Sequence, residues 1–166
     1  FVGGNMLWAK NKIIDLKEIA YKYAHQYRKG HSIGTRFGFE TNGLYTHPDQ
    51  LVNAPTGSFG SPVLGDIVYK NQNPEDDNVI DESDMVALGN SLPEIIFGAT
   101  LGGNYKGFDI QCNLEGSSLF STHYIPNKFT PYAYENRWNP NDPAVQTAYP
   151  GLSISREYNT QTSDFW

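Results

Sequence analysis

The chain has 166 residues, a net charge of −6 and a pI near 5.1, so it lacks the basic footprint of a nucleic-acid binder and the polybasic segment that grips anionic lipid. Only 18% of residues are charged while 14% are aromatic, with 16 Gly and 10 Pro, which excludes coiled coil, collagen and a charge-driven disordered tail. One cysteine, Cys112, permits neither an intrachain disulfide nor a Cys-based zinc site, and no apolar run is long enough for a transmembrane helix; barrel strands, which alternate, escape that test.

The composition predicts many strands joined by turns, an all-β fold. Residues 2–12 read as a first strand, with Val2, Gly4, Met6 and Trp8 on one face and Gly3, Asn5, Leu7 and Ala9 on the other; Asn11 and Lys12 end it. Residues 13–27 are ambiguous. Ile13, Leu16, Ala20 and Tyr23 fit a helical stripe, whereas Ile19, Tyr21 and Tyr23 fit a strand, and the Tyr density favours extended structure. Asn42-Gly43 is a turn signal. Residues 46–62 read as loop, residues 65–70 as a short strand, and residues 71–84 as an acidic loop.

The clearest pattern lies in residues 93–115. Phe97, Ala99, Leu101, Gly103 and Tyr105 share one face of a strand, and after Lys106-Gly107 the apolar residues Phe108, Ile110, Cys112 and Leu114 alternate with Asp109, Gln111, Asn113 and Glu115. Gly107 is available for positive φ, so the pair predicts a hairpin. Each arm is about 10 residues, the length of a membrane-spanning strand, and Tyr105 and Phe108 flank the turn as an aromatic girdle does. A sandwich hairpin with one wet face fits the same pattern. Residues 117–150 form a long polar, proline-punctuated stretch, and two such stretches imply strands carrying large external loops.

Residues 73–84 resemble a calcium loop. The oxygen ligands would be Asn73, Glu75, Asp77, the Val79 carbonyl, Asp81 and Asp84, because alternate positions of a tight acidic turn can supply the six to eight oxygens that Ca²⁺ takes. Asn78 stands where glycine is wanted but tolerates the left-handed region, and Ile80 is the expected inward apolar residue. Asn at the first position and the short Asp at the last depart from the pattern, and a solvated acidic loop is the competing reading. The four histidines lack metal-ligand spacing, and no nucleophile elbow or phosphate loop occurs. The loop aromatics Tyr124, Phe129, Tyr132, Tyr134 and Trp138 are suited to stacking on sugar rings or to packing the loop on itself, the second being favoured.

Several of these segments follow a fixed order. Asn11-Lys12-Ile13, Gly30-His31-Ser32-Ile33-Gly34, Phe37-Gly38 and Asn42-Gly43-Leu44 come first. Gly65-Asp66-Ile67-Val68-Tyr69-Lys70, the acidic loop, Leu88-Gly89-Asn90, Pro93-Glu94 and Tyr105-Lys106-Gly107-Phe108-Asp109 follow, then Asn136-Arg137-Trp138 and Thr162-Ser163-Asp164-Phe165-Trp166. That order resembles the late barrel region of SusC/RagA-type TonB-dependent outer-membrane transporters over nearly the whole chain. The acidic loop departs from the family pattern by extra length and missing glycines, which weakens any calcium carried over.

The resemblance implies antiparallel transmembrane β-barrel strands with long extracellular loops, a partial barrel. All of residues 1–166 would belong to one barrel domain, with no plug domain among them. It implies import of a glycan or peptide across the bacterial outer membrane rather than catalysis. The implied partners are a SusD-like surface lipoprotein as lid, TonB acting through the plug region, an oligosaccharide or peptide substrate and the lipid bilayer. Phe108, Ile110 and Leu114 would face lipid, and Asp109, Gln111, Asn113 and Glu115 the lumen. A secreted β-sandwich that binds glycans is the alternative; a secreted hydrolase ranks below it, for no carboxylate pair can be placed from the sequence.

Overall fold

A computed structural model of the chain describes residues 1–73, 75, 78–123, 130–141, 149–151 and 158–165. The architecture is all-β. Among the described residues nine strands run in chain order: β1 Val2–Trp8, β2 Thr35–Gly38, β3 Thr41–Leu44, β4 Thr56–Gly57, β5 Ile67–Tyr69, β6 Val79–Ile80, β7 Val86–Asn90, β8 Ile95–Tyr105 and β9 Phe108–Ser118. The single α-helix among the described residues is one short turn, α1 Pro131–Glu135, capped by the Thr130 hydroxyl. One sheet has three strands in the order β1-β8-β9; the others are two-stranded pairs, β2 with β7, β3 with β5 and β4 with β6.

The chain divides into two compact units. The first comprises Phe1–Lys17, Arg28–Arg36 and Gly89–Thr122. Its frame is the three-stranded antiparallel meander, in which Val2 pairs with Leu101 and Trp8 with Ile95, while Ile95 pairs with Ser118 and Tyr105 with Phe108. Lys106 and Gly107 have φ of 50° and 86°, so the turn carries two consecutive positive φ values, as the tight hairpin turns that match strand twist require. The hairpin expected from the alternation is present and extends to Ser118. The first strand stops at Trp8, short of Asn11, because Asn11 turns to other work: its side chain accepts the Ile33 N–H at 2.7 Å, and its carbonyl accepts the Ser32 hydroxyl at 2.9 Å.

The second unit comprises Glu18–Tyr27, Phe37–Leu88 and His123–Trp166. Phe39, Ile67, Tyr69, Ile80 and Tyr158 form its buried core, with Leu44, Phe59, Met85 and Phe165 packed around them. The rings meet edge-on or tilted, with centroids 5.2–5.6 Å apart between Phe39, Phe59, Tyr69 and Tyr158, the arrangement favoured by aromatic quadrupoles. Two stretches read as loops thus share one core. Residues 158–165 lie against the corner between β2 and β3, where Phe39 donates to the Thr162 carbonyl at 2.8 Å and Asp164 accepts the Thr41 N–H and hydroxyl at 2.8 and 2.7 Å.

Two local expectations are corrected. Asn42-Gly43 is not a hairpin turn. It lies inside β3, where Thr41 pairs with Tyr69 and Leu44 with Ile67, so two residues stand opposite Val68 and the strand bulges; Gly43, at φ 79°, absorbs the kink. Residues 13–21 form neither helix nor ladder strand, and a 3-10 turn, Ala24–Gln26, follows them. Ile14, Leu16 and Ile19 remain exposed, so no apolar stripe is buried to offset the entropy of helix formation.

Candidate functional site

The register of the meander sorts its side chains by character. Val2, Met6, Trp8, Ile95, Phe97, Ala99, Leu101, Tyr105, Phe108, Ile110, Cys112 and Leu114 fall on one face, broken only by glycines and Ser118. The other face carries Asn5, Thr100, Asn104, Asp109, Gln111, Asn113, Glu115 and Ser117, with Leu7 and Ile96 at one end. Gln111 donates to Asn113 along it at 3.2 Å. Among the described residues no element covers the apolar face: Phe108, Ile110 and Leu114 are 77%, 74% and 62% exposed. A contiguous apolar surface of this kind on a described sheet marks a contact with lipid or with another protein.

The dimensions of the sheet are specific. Both β8 and β9 have 11 residues; at roughly 3.4 Å per residue and a tilt of about 40–45°, such strands stand some 25 Å tall, the height of the apolar band of a membrane barrel. Trp8 marks one end of the band, and Tyr105 with Phe108 the other. At the Trp8 end the chain leaves on two long excursions, residues 9–94 and the residues after Ser118, while at the other end it turns in two residues.

The acidic loop is organised from within. Asp84, fully buried, accepts the N–H groups of Gln72 at 2.7 Å, Asn73 at 3.1 Å and Asp81 at 2.9 Å. Asp81 caps the short 3-10 turn Glu82–Asp84 through the Ser83 N–H at 2.7 Å. Asn73 is buried and accepts the Glu75 N–H at 3.1 Å. Glu75 itself points outward to Lys22 at 2.5 Å, a hydrogen bond that raises the lysine above its ordinary pKa. Val79 lies in β6, Asn78 takes φ 58°, and Ile80 is buried in the core. Asp77 lies outside the described residues. Among the described residues no three His, Cys, Asp or Glu side chains come together as a metal-binding group. Asp84 aims both carboxylate oxygens at main-chain amides.

A buried polar cluster went unread in the sequence. Asp66 accepts the Val63 N–H at 2.9 Å and the Asn159 amide at 2.7 Å; Asn159 in turn accepts the Ile67 N–H at 3.0 Å, and the Tyr69 hydroxyl donates to the Tyr158 carbonyl at 2.7 Å. Burial pushes the Tyr69 and Tyr158 phenols well above their ordinary pKa, with the charge of Asp66 adding to it. The only signal in the sequence was an acidic residue opening an otherwise apolar strand at Asp66. The partner Asn159 lies 93 positions away, beyond any local pattern.

Of the loop aromatics, Trp138 is buried and lies over Gly65 and Gly151, where a Cβ on either would meet the ring at 2.3 and 3.1 Å; Tyr132 is exposed. Tyr124, Phe129 and the side chain of Tyr134 lie outside what is described, as does Trp166. No helix among the described residues is long and apolar enough to cross a membrane, which says nothing of strands. No family model matches this chain, and no curated protein matches it.

Proposed function

We propose that the three-stranded sheet is a section of an outer-membrane β-barrel wall, and that the chain is part of a SusC/RagA-type TonB-dependent transporter importing an oligosaccharide or a peptide. The observation that carries this reading is the sorting of three strands into one largely apolar and one largely polar face, with the apolar face bare among the described residues. In water such a face costs roughly 25 cal/mol for each Å² left exposed; against acyl chains that cost vanishes. Every backbone group of a barrel strand is paired within the wall, which is why strands can stand in lipid at all.

The ends of the sheet support an orientation. Outer-membrane barrels have short periplasmic turns and long extracellular loops. The Lys106-Gly107 turn would then face the periplasm, and the excursions from Trp8 and Ser118 the outside. On this reading Asp109, Gln111, Asn113 and Glu115 line the lumen, the long loops meet substrate and a SusD-like lipoprotein lid, and TonB supplies the energy through a plug region. The resemblance in the sequence suggests the family and the partners, and the bare apolar face of the sheet supports the membrane reading.

The test is fractionation of the native protein from its source cells. Recovery in the outer-membrane fraction, released by detergent and not by high salt or carbonate, is the expected result. Recovery as a monomer that needs no detergent would overturn the membrane reading in favour of a secreted glycan-binding module.

A further inference from the structure

We propose that Asn42 is a self-modification site: its side-chain amide is lost spontaneously by attack from the Gly43 nitrogen, and the product loosens β3 from β5. The Asn-Gly pair occurs once in the sequence. In the reaction the Gly43 main-chain nitrogen gives up its proton and attacks Cγ of Asn42. A C–N bond forms, the Cγ–Nδ2 bond breaks, and ammonia leaves with the proton, closing a five-membered succinimide. Water then opens the ring at one carbonyl or the other, giving aspartate or isoaspartate. A glycine after the asparagine is the favourable case, because no Cβ shields its nitrogen and its backbone reaches angles that other residues resist.

The fold presents this pair openly. Both residues are exposed, and nothing lies within 4 Å of where a Gly43 Cβ would stand. The register breaks between Thr41 and Leu44, so the two residues form the extra length of a bulge instead of a regular ladder. The flanks, by contrast, are anchored. Asp164 holds Thr41 by two hydrogen bonds, Leu44 packs on the aromatic core, and Tyr45 is buried and donates to the Asp66 carbonyl at 2.9 Å. Isoaspartate adds a methylene to the main chain between these anchors. Thr41 and Leu44 then cannot both keep their partners on β5.

The test is to age the whole folded chain at mildly alkaline pH and map its peptides by mass. The expected result is a gain of about one dalton at Asn42, with isoaspartate detected by methyltransferase labelling, an order of magnitude faster than at the exposed Asn53, Asn104 or Asn136. The aged protein melts at a lower temperature than fresh protein. Asn42→Gln starts at the same melting temperature and does not decline. Equal rates at all four asparagines, reaction at Asn42 only after unfolding in urea, or the same decline in Asn42→Gln would each overturn the assignment.

Discussion

The two units spend their aromatic residues in opposite ways. In the second, Phe39, Tyr69 and Tyr158 are sealed in a core made by segments far apart in sequence; in the first, Trp8, Tyr105 and Phe108 stand bare on a sheet. A sheet that presents its apolar face without a described covering layer leaves that contact to lipid or to another protein, whereas the other unit closes over its own rings. Hydrophobicity therefore does not separate the regions. What separates them is whether the chain supplies the other half of the contact.

The largest expected effect breaks the closed half of this comparison. Tyr158→Ala removes a fully buried ring on which Phe59 and Tyr69 pack, and should cost about 3–5 kcal/mol, read as loss of the cooperative melt of the second unit by near-ultraviolet circular dichroism. A small shift would mean that this core is not what holds the unit. The sheet is tested next. Leu114 sits near mid-height on the apolar face, so on the proposed reading Leu114→Arg should cost about 2–4 kcal/mol and block membrane assembly, while its neighbour Asn113→Arg should assemble. Equal tolerance on the two faces would remove the distinction that carries the membrane proposal.

Gly65→Ala sharpens the contrast further. Gly65 has φ 88°, and a Cβ there would come within 2.3 Å of the Trp138 ring, so strain and overlap together should cost about 1–3 kcal/mol in thermal melts. The smallest effect concerns charge. Glu40 pairs with Lys70 at 2.5 Å, and that hydrogen bond holds its carboxyl below the ordinary range. A carboxylate whose folded pKa is depressed contributes stability above its unfolded pKa and loses it as the pH falls through the folded value. The difference in melting temperature between wild type and Glu40→Gln should therefore be present at neutral pH, small because both side chains are well exposed, and should disappear on acidification. A difference that persists in acid would place the effect elsewhere.

The hairpin was legible because its information is local. Strict alternation around Lys106-Gly107 assigns face and turn at once, and three residues of β9 beyond Glu115 were all that the pattern missed. The acidic loop was legible as a turn but not in its use. The same carboxylates suit a cation or main-chain amides, and alternate spacing does not say which; the fold turns Asp84 inward onto amides, while Ile80, four positions before it, enters the core. Asn42-Gly43 was read as a turn because that dipeptide accommodates positive φ, and a bulge requires the same backbone freedom.

By itself, then, the sequence determined strand content, the two-faced character of the β8–β9 pair and the tight turn between them, since each depends on residues within a few positions of one another. Only the tertiary structure decided that β1 joins β8 across residues 9–94, completing a one-sided apolar sheet, and that Tyr158 and Asn159 close the core around Tyr69 and Asp66. Those contacts join residues about ninety positions apart. They form because buried rings and a buried carboxylate need partners, and nothing in the local pattern of either segment names the other.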